Sequence, residues 1–139
     1  MTSGLDLDSP RVQQIDSDED VVRVRQLVRT VAVAAKLSLV DQTKLVTAAS
    51  ELARNTLVYG GGGRVEVSTA ERDRRRGIRI AFIDDGPGIA DLDLALTDGY
   101  TTGGGLGLGL SGARRLVDEF DIETAVGQGT RVTVTKWSR

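Results

Sequence analysis

At Gly60-Gly61-Gly62-Gly63 the apolar pattern of this chain changes its period, and that switch limits the folds open to it. Before the glycines the pattern is helical. Ser17-Asp18-Glu19-Asp20 is a capped, acidic helix start, and Val24, Leu27, Val28, Val31 and Ala35 follow at helical spacing, predicting a helix to about Leu37. Ser38-Leu39-Val40-Asp41 opens a second helix whose stripe is Leu45, Ala48, Ala49 and Leu52. It should end near Tyr59, where the glycines stop it. Beyond them the period is two. Val65, Val67 and Thr69 share one face of a strand over 64–69, and Ile78, Ile80 and Phe82 alternate in the next, with Ala81 and Ile83 making it apolar on both sides. The charged run Arg72–Gly77 between them predicts a solvated hairpin loop.

From Asp85 to Gly105 periodicity disappears. Leu106, Leu110, Ala113, Leu116, Val117 and Phe120 then predict a third helix, and Ile122–Val126 and Thr130–Trp137 two strands joined by Gly127-Gln128-Gly129. A weaker strand over Arg11–Ile15 opens the series. Strands and helices do not alternate, so the expected class is α+β: a two-layer sandwich with a mixed β-sheet covered on one face by about three α-helices. The expected organisation is a flexible tail over 1–10 and one domain over 11–139.

Composition removes whole classes of chemistry. With no Cys and no His, disulfides, thiolate zinc sites, Ser-His-Asp triads and self-phosphorylation on His are all excluded. A net charge of −2 argues against nucleic acid or an anionic membrane as main partner. The longest apolar run, Val31–Ala35, is far short of the roughly 20 residues of a membrane span. No basic-then-apolar leader begins the chain, so the expected location is the cytoplasm.

Three constellations remain. Glu51 and Asn55, four residues apart, share a helix face at the margin of the core stripe. A carboxylate there can accept a proton, and an amide oxygen can ligate Mg²⁺ without adding charge. Asp84-Asp85-Gly86-Pro87-Gly88-Ile89 ends the apolar strand in acids and a tight turn, well placed to receive an exocyclic amine, with Gly86 and Gly88 allowing close backbone approach. Gly103-Gly104-Gly105-Leu106-Gly107-Leu108-Gly109-Leu110 leads into a helix start, where successive N–H groups form a phosphate cradle. Gly107, Gly109 and Gly112 also satisfy G-x-G-x-x-G, but loop precedes them where a dinucleotide fold needs a strand.

In this order the motifs resemble the GHKL (Bergerat-fold) ATP-binding superfamily, from about Arg11 to Trp137. Glu51-Leu52-Ala53-Arg54-Asn55 is similar to its N box, Asp84–Gly88 to D-x-G-x-G, Gly105–Gly109 to its second glycine box, and Gly129-Thr130 to the Gly-Thr closing the adenine pocket. The resemblance implies ATP and Mg²⁺ as cofactors. Asp84 would bind the adenine amino group with Thr130 assisting, and Asn55 would hold Mg²⁺. The turn Gly86, Gly88 and Ile89 and the stretch Gly105, Leu106, Gly107, Leu108, Gly109 and Leu110 would line the nucleotide. Thr102 would touch the γ-phosphate, and Glu51 would be the catalytic base.

The chain is most similar to single-domain serine/threonine kinases of bacterial partner switching. Ser50–Asn55, Asp98–Gly107, Val117–Phe120 and Lys136-Trp137 resemble the stressosome switch kinases of the RsbT type. That branch implies STAS-domain protein substrates and, after release, activation of a PP2C-type phosphatase. The alternatives are an anti-sigma kinase that binds a sigma factor and an ATP-binding interaction module with a vestigial site. The anti-sigma pattern continues its N box to His-Ala-Tyr, whereas Thr56-Leu57-Val58-Tyr59 follows Asn55 here.

Overall fold

The computed structural model describes residues 10–89, 96 and 107–138. Their elements run β1 (Arg11–Ile15), α1 (Asp18–Ala34), α2 (Leu39–Val58), β2 (Gly63–Arg72), β3 (Arg75–Asp84), α3 (Gly107–Leu116), β4 (Glu119–Thr124) and β5 (Thr130–Trp137). The strands form one sheet in the order β1-β2-β3-β5-β4.

The helices cover one face, as their stripes require. Val24, Val28 and Val31 of α1 and Leu45, Ala48, Ala49 and Leu52 of α2 are buried against Ile15, Val65, Val67, Ile78, Ile80, Phe82, Val132 and Val134 of the sheet. α2 packs against both α1 and α3, which makes it the central helix. Its start is fixed by Ser38, whose hydroxyl accepts the Asp41 N–H at 3.1 Å. The opposite sheet face carries Arg64, Glu66 and Ser68, then Arg79, Arg131, Thr133, Asp121 and Glu123, with no helix over it among the described residues. No described helix is long and apolar enough to cross a membrane.

Every ladder is antiparallel, where a mixed sheet was expected. The passage from β3 through α3 does deliver β4 parallel to β3. However, β5 turns back from β4 and takes the place beside β3, so the parallel relation never becomes a ladder.

Three boundaries also differ. α1 stops at Ala34 rather than near Leu37, because Lys36 turns left-handed (φ 65°) and the Leu37 N–H returns to Ala32 O at 3.1 Å. The Arg72–Gly77 run is ladder, not loop. Asp73 and Arg74 both take positive φ (52° and 68°), and this two-residue turn keeps Arg72 paired with Arg75. The third helix ends at Leu116, since the Asp118 N–H donates to Thr135 O and starts β4 early. Phe120 therefore pairs with Val134 in the sheet instead of extending the helix stripe.

One buried charge cluster ties the layers together. Lys136 is 3% exposed, with Nζ 3.6 Å from both Asp41 Oδ1 at the start of α2 and Asp118 Oδ1 after α3. On the helix-free face the adjacent Trp137 donates from Nε1 to Glu119 Oε2 at 2.7 Å. Gly77 is its cross-strand partner, and a Cβ there would meet the indole at 2.6 Å, so only glycine leaves the ring its place.

Candidate functional site

One row of paired residues crosses all five strands at a single end of the sheet. Ile15 pairs with Gly63, Gly63 with Asp84, Asp84 with Thr130, and Thr130 with Thr124. Paired residues share a face. Asp84 also alternates with buried Phe82, Ile80 and Ile78, so its carboxylate lies on the helix side. There the apolar lining of the sheet gives way to polar groups, with Asp84 flanked by Thr130 and, one strand on, Thr124.

α2 reaches this row through its C-terminal turn. The Tyr59 and Gly60 N–H groups both bond to Asn55 O, at 2.9 and 3.1 Å, and the chain then passes Gly60 against Asp84. A Cβ at Gly60 would overlap the Asp84 side chain, and one at Gly86 would come within 2.7 Å of Gly60 Cα. Gly60 and Gly86 thus let the end of the N-box helix and the D-x-G turn touch backbone to backbone. Asp84 caps its own turn, Oδ1 accepting the Gly86 N–H at 2.9 Å. Burial pushes the Asp84 carboxyl above the usual aspartate range, opposed by the amides of Gly86 and Thr130 and aided by the nearby Asp85 charge.

The turn after Asp84 is anchored by Thr124, a residue the sequence did not single out. Its hydroxyl accepts the Ile89 N–H at 2.9 Å, lies 3.1 Å from Gly129 O and 3.0 Å from Thr130 Oγ1. Gly88 (φ 75°) rests on Ala125 O and Gly129 (φ 82°) on Asp84 O, and in both places a Cβ would strike backbone. At Gly86 and Gly88, then, the room expected for a ligand is taken by Gly60 and Ala125. A strand threonine reads as an ordinary β-former, and only the 3D pairing with Thr130 exposes its role.

Glu51 and Asn55 stand one turn apart on α2, Glu51 exposed and Asn55 half-buried. The oxygen-only character of this pair suits a hard ion such as Mg²⁺ that keeps waters and takes its other ligands from phosphates. No group of three or more carboxylates that could hold a metal unaided occurs among the described residues. Gly107, Leu108, Gly109 and Leu110 form the first turn of α3, so their N–H groups lack partners within the helix. The Leu110 side chain is 6% exposed and belongs to the core, so it has only its backbone to offer a ligand. Thr102, Gly105 and Leu106 lie outside the described residues.

An open cleft of about 430 Å³ occupies the same strand ends. Its lining includes Ile83, Arg131 and Glu123, which are cross-strand partners on the helix-free face. Asp84, Thr124 and Thr130 line it as well, so the cleft takes in residues of both sheet faces at this end.

Residues 40–138 match the family model described as histidine kinase-, DNA gyrase B- and HSP90-like ATPase. The chain belongs to this family. Within it, the chain is 41% identical over 126 residues to the serine/threonine-protein kinase RsbT of Bacillus subtilis, covering 91% of this chain and 95% of that one. It is 33% identical over 120 residues to the anti-sigma F factor of Clostridium novyi, covering 76% and 81%. The crystal structure of the RsbU and RsbW domains of Rv1364c from Mycobacterium tuberculosis superposes with a TM-score of 0.65 at 22% identity. That match covers 94% of this chain but only 33% of the larger structure, and it shows the shared ATPase fold. The family fold accounts for the α+β layering.

Proposed function

We propose that this chain is a cytoplasmic, ATP- and Mg²⁺-dependent serine/threonine kinase of a partner-switching system. It phosphorylates STAS-domain antagonist proteins and, once released, activates a PP2C-type phosphatase. The observation that carries the reading is the contact of α2's C-terminal turn with Asp84 at Gly60. It sets an inward, half-buried acid beside the helix bearing Glu51 and Asn55. Similarity to a named serine/threonine kinase over 91% of the chain supports the activity, and the STAS and phosphatase partners are what the resemblance of the sequence motifs to RsbT-type switch kinases implies.

In this reading Asp84 accepts the adenine amino group, with the Thr130 hydroxyl beside it. The free N–H groups opening α3, with Gly105, Leu106 and Thr102 before them, receive the phosphates. Mg²⁺ is held by Asn55 and, when bound, screens charge on the phosphates. Glu51 accepts the proton of the acceptor Ser or Thr hydroxyl as that oxygen bonds to the γ-phosphorus and the bond to the β-phosphate oxygen breaks. Phosphoryl transfer depends on positioning and charge stabilisation, so a site without histidine is sufficient.

The test mixes the purified chain with Mg²⁺, γ-labelled ATP and a STAS-domain protein from the same organism, with Glu51→Ala as control. Label on a Ser or Thr of the acceptor, lost in Glu51→Ala while ATP still binds, is the expected result. ATP binding without transfer to any STAS protein would overturn the kinase reading. Similarity to anti-sigma F factors supports a second reading, a sigma-binding kinase, which the same mixture tests by adding the cell's sigma factors and looking for a complex.

A further inference from the structure

The end of the sheet opposite the Asp84 row carries a cationic surface that the nucleotide site does not use. β2 and β3 run on past their neighbours: β1 pairs no further along β2 than Val67, and β5 no further along β3 than Gly77. The projecting hairpin bears Arg72, Arg74, Arg75 and Arg76. By register, Arg72, Arg75 and Arg79 share the helix-free face with Trp137 and Glu119. Arg76 lies 4.0 Å from Glu71, but Arg74, Arg75 and Arg79 are exposed and have no acid within 4.0 Å among the described residues. In a chain of net charge −2, this is a concentration of positive charge on one pole.

The surface already holds one carboxylate. Glu119 Oε2 receives both Trp137 Nε1 and Arg72 Nη1 at 2.7 Å, while the Arg72 guanidinium lies 5.0 Å from the Trp137 ring centre. The indole N–H and one arginine N–H thus converge on a side-chain carboxylate, with Arg79 and the outer nitrogens of Arg75, whose Nε donates to Ser138 O at 3.3 Å, left over for further ones. Field and hydrogen bonds hold the Glu119 carboxyl below the usual glutamate range, the Trp137 bond foremost and Arg72 and Arg79 contributing.

We propose that this pole is a docking surface for an acidic segment of a partner protein, with Glu119 as its internal competitor. Nucleic acid is the poorer fit. Trp137 is only 6% exposed and its ring is covered by Arg72, so no aromatic face is presented for a base to stack on. Along β3 the pole runs from Arg79 to Arg75, five to nine residues from Asp84, or about 16–30 Å at roughly 3.3 Å each, so a segment bound here leaves the nucleotide end open. The inference does not depend on kinase activity.

A ten-residue polyglutamate peptide titrated into the full chain tests it, read by fluorescence of Trp137, the single tryptophan. Saturable binding is expected, weakened at least tenfold by Arg75→Ala with Arg79→Ala. Glu119→Gln should tighten it several-fold, because the bound competitor loses its charge while Trp137 keeps an acceptor. A fluorescent ATP analogue, measured in the same samples, should bind the double variant as it binds the parent. No saturable binding, an unchanged affinity in either variant, or tighter binding of a ten-nucleotide single-stranded DNA overturns the proposal. None of these results touches the nucleotide reading, which the analogue reports separately.

Discussion

Adding one methyl group at Gly60 should weaken nucleotide binding as well as the fold. Gly60 has an ordinary backbone conformation, so alanine is allowed there locally, but its Cβ would fall on the Asp84 side chain. That side chain is not a free end: Oδ1 is held by the Gly86 N–H at 2.9 Å, and Gly86 is itself packed on Gly60. Relief must come from moving the carboxylate or the turn, an overpacking cost of about 1–3 kcal/mol. If Asp84 receives the adenine amine as proposed, its displacement would cost that hydrogen bond. Bonds to charged groups contribute about 1.5–3 kcal/mol, or roughly ten- to 150-fold in Kd. Gly61→Ala is the matched control. Its φ of 77° makes alanine strained by about 1–2 kcal/mol, yet nothing lies within 4 Å of the new atom. Urea unfolding should therefore show comparable losses for the two variants, and titration with a fluorescent ATP analogue should show a loss of affinity for Gly60→Ala alone. Equal ATP affinity in both variants would refute the argument that Gly60 positions Asp84.

Two carboxylates should give the stability–pH curve opposite slopes. The raised Asp84 favours the folded state in acid, and that contribution is lost as pH climbs from the unfolded value near 3.9 through the higher folded one. The lowered Glu119 stabilises above its unfolded value near 4.3 and loses this as pH falls through its folded one. Relative to Asp84→Asn the parent should thus weaken with rising pH over that window, and relative to Glu119→Gln it should weaken with falling pH; slopes of the same sign in thermal melts would contradict the assignments. Lys136→Met removes the Nζ that buried Asp41 shares with Asp118 and should lower stability in urea unfolding by up to about 3–5 kcal/mol. Thr124→Val strands the Ile89 N–H and should cost about 1–3 kcal/mol, with faster amide exchange at Ile89.

Much of the site could be read before the fold was known, because its residues sit where local patterns break. Asp84 is the first acid after the apolar run Ile80–Ile83, and Glu51 and Asn55 occupy the edge of a clear helical stripe. What escaped reading depends on pairings distant in sequence. Thr124 matters only because β4 folds back beside β5 and brings its hydroxyl to Thr130 and Ile89. The Gly60–Asp84 contact joins residues whose separation carries no periodic signal, so four glycines could be taken only as a helix stop. The burial of Lys136 carries no signal in sequence, because its two acids come from other parts of the chain. Phe120 fits the helix stripe equally well, and the Asp118–Thr135 bond decides against it.

The row from Ile15 through Gly63, Asp84 and Thr130 to Thr124 has a consequence for assembly. Because strand side chains alternate, a slip of one residue between any neighbouring pair would turn part of that row to the opposite face. A chain with β1, β2 and β3 correctly paired and β5 still loose would lack Thr130 and, because β4 pairs only with β5, the support of Thr124 as well. ATP bound at Asp84, as proposed, would in this sense be a ligand of the finished sheet only. Its binding energy would deepen the native basin without stabilising any partly zipped intermediate, so nucleotide should slow unfolding while leaving the rate of folding nearly unchanged.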